Sequence, residues 1–76
     1  MITVLSVLPK DNYQLHIELS NGKKGDFDVS PYLDRGIFKQ LKDKDYFNQV
    51  KLIFGGIGWP NSQDFSADTI DCELPK

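Results

Sequence analysis

The sequence holds few of the residues that build covalent or metal scaffolds. Its single cysteine, Cys72, excludes an intrachain disulfide and a cysteine-based zinc cluster, and fits a reducing compartment. It has one histidine, His16, and one arginine, Arg35. Net charge is −2 with both signs interspersed, so nothing in the balance favours nucleic acid or an anionic membrane. No apolar run approaches the length of a membrane span, and no basic stretch leads into a secretory core. The expectation is a soluble, cytoplasmic protein with no membrane partner.

What is present is enough for a core. Leu, Ile, Val and Phe supply 23 of 76 residues, far more than a disordered chain carries. The length fits a single domain, residues 1–76, near the lower limit for independent folding.

The clearest pattern runs from Tyr13 to Val29. Tyr13, Leu15, Ile17 and Leu19 alternate with polar neighbours, and Gly25, Phe27 and Val29 resume the alternation after Asn21-Gly22. A two-residue turn at Asn21-Gly22 would set Ile17 against Asp26 and Leu15 against Asp28. A three-residue loop, Ser20-Asn21-Gly22, sets Ile17 against Gly25, Leu15 against Phe27 and Tyr13 against Val29. The second register keeps the apolar face whole, with Gly22 in a left-handed conformation, and is preferred.

Ile2 to Leu8 reads as the first strand, apolar on both faces and therefore expected to be covered on both sides. Pro9-Lys10-Asp11-Asn12 reads as the following turn. Ser30-Pro31 predicts a short helical turn, and Ile37, Phe38 and Leu41 predict another packed on the sheet. Asp43 is placed to cap a third through Phe47, with Tyr46 and Phe47 inward. Val50 to Phe54 and Ile57 to Trp59 read as further strands. Pro60 to Asp64 reads as loop, and Ser66 caps a final helix with Ala67, Ile70 and Leu74 inward. The fold class is α+β: a small antiparallel sheet with an N-terminal three-stranded meander, further short strands and short helices packed on it.

Taken together, Tyr13-Gln14-Leu15, Ser20-Asn21-Gly22, Phe27-Asp28, Gly36-Ile37-Phe38, Leu41-Lys42-Asp43, Phe47 and Ile57-Gly58-Trp59-Pro60-Asn61 with Asp64 carry a resemblance. From about Val4 to Ile70 the chain resembles the bacterial domain-of-unknown-function family 2442. Ser62 stands where that family commonly has glycine, and the tail Asp71-Cys72-Glu73 also departs from it. The resemblance implies a compact α+β fold with an antiparallel sheet, and it transfers no activity. Some members occur beside another small protein in an arrangement like a toxin–antitoxin pair, which implies an antitoxin-like alternative.

Trp59, Pro60, Asn61 and Asp64 form the candidate interaction surface. The preferred reading makes Trp59 a packing anchor whose N–H needs a buried acceptor; the alternative exposes it as an aromatic anchor for a partner. His16 and Asp26 face each other in the preferred register, giving a low-ranked polar pair that lacks a nucleophile. Asp26, Asp28 and Asp34, the Asp43-Lys44-Asp45 run, Gly55-Gly56-Ile57-Gly58 and Cys72 are read as surface charge, turn geometry and an inert thiol. No catalytic residue, metal site or cofactor is assigned.

The leading functional expectation is therefore a non-catalytic protein-interaction or accessory module. Tyr13, Tyr32, Tyr46 and Trp59 are available for an interface, and a free strand edge for self-association or strand addition. The alternative is a nucleic-acid-associated or antitoxin-like regulator using Lys23, Lys24, Lys39, Lys42, Lys44 and Lys51. An enzyme with a site at an oligomer interface, around His16 and Asp26, ranks last.

Overall fold

The computed structural model describes residues 1–74. Alternation in the first half of the chain produces three antiparallel strands, β1 (Val4–Lys10), β2 (Gln14–Leu19) and β3 (Lys24–Asp28), in the order β1-β2-β3. Their inner face buries Leu15, Ile17, Leu19 and Phe27, while His16 and Asp26 stay on the outer face. The register places Leu15 against Phe27, His16 against Asp26 and Ile17 against Gly25. Leu19 N donates to Lys23 O at 2.8 Å around a three-residue loop, and Gly22 has φ 91°, a conformation open to glycine because it has no Cβ. Pairing ends at Gln14 and Asp28, but Val29 N still donates to Tyr13 O at 2.9 Å.

The first strand corrects the sequence reading. It is displaced by two residues, Val4–Lys10 in place of Ile2–Leu8, with Pro9 paired to Leu15 inside the ladder. Such a position is tolerated because β1 is an edge strand, where a missing N–H need not break the sheet. The turn moves to a 3₁₀ segment, Asp11–Tyr13, where Asn12 and Tyr13 both take positive φ. Nor is the strand covered on both sides. An irregularity between Val4 and Ser6 leaves Leu5 exposed, and Leu8 lies opposite His16 on the open face.

The second half is built from shorter pieces. Two 3₁₀ segments, Ser30–Tyr32 and Gly36–Lys42, lead into α1 (Lys44–Phe47). Asp28 Oδ1 accepts from Ser30 N at 3.0 Å, and Asp43 Oδ1 accepts from Asp45 N at 3.0 Å. Of the expected inward residues in Gly36–Lys42, Leu41 is buried and Phe38 half-buried, whereas Ile37 is exposed. A 3₁₀ turn repeats every three residues, so the apolar stripe computed for an α-helix misplaces Ile37.

A second antiparallel sheet follows: β4 (Lys51–Ile53), β5 (Gly56–Gly58) and β6 (Asp64–Phe65), in that order. The two-residue β6 begins at Asp64, the last residue of the stretch read as loop. Ser66 then caps α2 (Ala67–Glu73), its hydroxyl accepting from Thr69 N at 3.2 Å. Ala67, Ile70 and Leu74 are buried as expected. Val4 N donates to Gly55 O at 2.8 Å, stitching the first sheet to the turn of the second. One apolar cluster spans both sheets, from Leu15, Ile17 and Leu19 to Ile57, Trp59 and Ile70.

A candidate interaction groove

Trp59 is 1 % exposed, and its Nε1 donates to Phe47 O at 2.9 Å. The aromatic ring packs near Phe47 and Phe65, with centroids 6.0 and 6.1 Å away. The packing reading thus describes its position, and the exposed-anchor alternative for Trp59 is replaced. Pro60, Asn61 and Asp64 do face solvent. Asn61 belongs to a polar cluster that sequence reasoning missed. Tyr46 OH donates to Gln63 Oε1 at 2.7 Å and accepts from Asn61 N at 2.8 Å. Gln63, also 1 % exposed, donates through Nε2 to Ile37 O at 2.9 Å and Gln40 Oε1 at 3.1 Å. Every polar atom of this buried glutamine side chain has a partner, so the cluster holds the Pro60–Ser62 loop in place rather than awaiting a ligand.

His16 and Asp26 do meet: Nδ1 lies 2.9 Å from Oδ1. Lys10 Nζ joins at 2.9 Å from Oδ2, a third member brought in because β1 runs on to Lys10. Hydrogen bonds from His16 and then Lys10 hold the Asp26 carboxyl below the usual carboxylate range. All three lie on an open, solvated sheet face, and Ser20 is turned away to accept from Thr3 N at 2.9 Å. A solvated face without a recess cannot strengthen electrostatics or exclude water, the two things such a trio would need for chemistry. Of the lysines considered for nucleic acid, Lys23 is 3.0 Å from Asp71 and Lys42 is 2.8 Å from Asp34.

The main recess lies elsewhere. An open groove of about 570 Å³ runs between the Tyr32–Phe38 segment and the second sheet. Phe65 forms its floor, with Tyr32 edge-on at 5.0 Å and Phe38 stacked at 5.1 Å. Arg35 lies over the Tyr32 ring at 5.6 Å, and Asp64 contributes the opposite charge. Burial and a hydrogen bond to Glu73 push the Tyr32 phenol pKa up, keeping it neutral in this aromatic setting.

Phe54 stands at the rim, fully exposed at the tip of the β4–β5 hairpin. Ile53 pairs with Gly56, so Phe54-Gly55 is a two-residue loop with φ of 47° and 84°. Two positive values define a type I′ turn, where Asn-Gly is preferred and a bulky aromatic is strained. Neither burial nor turn propensity accounts for phenylalanine here. The available signal in the sequence was an aromatic directly before Gly55-Gly56, between two strand-like runs.

The family described as protein of unknown function (DUF2442) matches residues 4–70 of the chain. The protein belongs to the DUF2442 family. No curated protein and no solved structure matches it. DUF2442 membership assigns no activity to the groove. Among the described residues, no helix is long and apolar enough to cross a membrane.

Proposed function

We propose that the protein is a non-catalytic protein-interaction module that binds through the groove beside Phe54. The carrying observation is Phe54 itself: a strained, fully exposed aromatic adjoining an aromatic-floored recess. Backbone strain concentrates at functional sites, and aromatic residues, phenylalanine among them, are enriched at protein interfaces. Arg35 and Asp64 at the same groove supply polar selectivity.

Two other expectations have less support. The pairing of Lys23 and Lys42 with aspartates weakens the case for a nucleic-acid patch. Strand addition to the first sheet is disfavoured by Pro9 and Lys10 on β1 and by Lys24, Asp26 and Asp28 on β3. Capture from native lysate, with nuclease treatment and two salt concentrations, tests the reading. A protein retained by the wild type is expected to be lost with Phe54→Asn and kept with Leu8→Asn on the opposite sheet. Equal retention by all three would contradict it.

A further inference from the structure

We infer that the occupant of the groove is a second copy of this chain, in a two-fold dimer that seats Phe54 of each protomer in the other's groove. This rests on the reading of the groove as a protein-binding surface and names the partner. A two-fold contact needs one surface patch that is complementary to itself. Here the projection and the recess are neighbours on one surface, Phe54 at the rim and Tyr32, Phe38 and Phe65 within. A rotation that brings one phenylalanine to the opposite groove brings the second to the first.

The charges obey the same symmetry. Arg35 and Asp64 both line the groove, and neither has an ion-pair partner among the described residues. The guanidinium rests on the Tyr32 ring, which leaves its edge N–H groups free to meet an acceptor from outside. A purely apolar partner would bury both charges unpaired, a costly arrangement. Another copy brings an aspartate for the arginine and an arginine for the aspartate, two opposite-charge contacts per dimer.

Sedimentation equilibrium at concentrations up to about 1 mM tests this, because even weak association is populated there. The wild type is expected to approach twice the 8.7 kDa chain mass. Phe54→Asn, a substitution the turn favours, is expected to weaken association at least about tenfold. Arg35→Glu and Asp64→Arg are each expected to be monomeric, since each places like charges together at both contacts. Mixed in equal amounts they are expected to associate, because a heterodimer regains both opposite-charge contacts. Thermal melts of each variant verify that it is folded. A monomeric wild type, or a mixture that stays monomeric, would overturn the dimer. If the wild type is monomeric while Phe54-dependent capture of a different protein persists, the groove reading survives and only the second copy is wrong. If Phe54→Asn alters neither self-association nor capture, both fall together.

Discussion

Phenylalanine in a left-handed turn position costs about 1 kcal/mol, and full exposure returns nothing in burial. Ser62, at φ 78°, carries a similar cost without the aromatic ring. Its loop repeats the geometry at Gly22: Trp59 N donates to Gln63 O at 2.9 Å, as Leu19 N donates to Lys23 O at 2.8 Å. Ser62→Gly is therefore expected to stabilise the protein by roughly 0.5–1 kcal/mol, read as a raised melting temperature. The buried polar cluster is expected to behave in the opposite way. Tyr46→Phe removes the donor to the buried Gln63 Oε1 and the acceptor of the part-buried Asn61 N, at a cost of about 1–3 kcal/mol. An unchanged denaturation midpoint for that variant would mean the network contributes little to stability.

The elements differ in how plainly the sequence announces them. The β2–β3 hairpin was legible down to its register, since period-two alternation and Gly22 permit only one arrangement that keeps the apolar face intact. Capping residues likewise marked α1 and α2, through Asp43 and Ser66. Pro9 misled because a proline is read as a turn unless the strand is known to be at an edge, and edge position is a tertiary property. The two-residue β6 has no period of its own and exists only through its pairing with β5, Ile57 with Phe65 and Gly58 with Asp64. That contact also brings Gly56 close to the neighbouring backbone: an added Cβ would lie 2.5 Å from Phe65 O. Gly56→Ala is thus expected to separate β5 from β6 and destabilise the fold by more than about 2 kcal/mol, a loss measurable by urea denaturation. The groove was hidden for the same reason as β6. Its walls, Tyr32, Phe38, Ile53 and Phe65, come from four separate elements or connections, and only packing unites them.

At the scale of the whole molecule, the acid side of the stability curve follows from carboxylates held below their ordinary range. Asp26 is held there by His16 and Lys10, Asp34 by Lys42, and Asp71 by Lys23 and Asn21. Each depressed value stabilises the fold above the unfolded carboxylate pKa, near about 4, and that contribution is lost as pH falls through the folded value. Melting temperature is expected to decline below about pH 4, less steeply in Asp26→Asn, and the difference should shrink in high salt because these groups are solvated. A parallel decline in both proteins would remove Asp26 from the account. The central claim is that the molecule carries Phe54 for contact with another protein surface and not for its own folding. Urea titration of Phe54→Asn against the wild type, at a concentration low enough to keep both monomeric, tests that claim most directly. A midpoint shifted upward, equivalent to about 1 kcal/mol of added stability, is the predicted result; a midpoint shifted downward would show that Phe54 supports the fold and would contradict the claim.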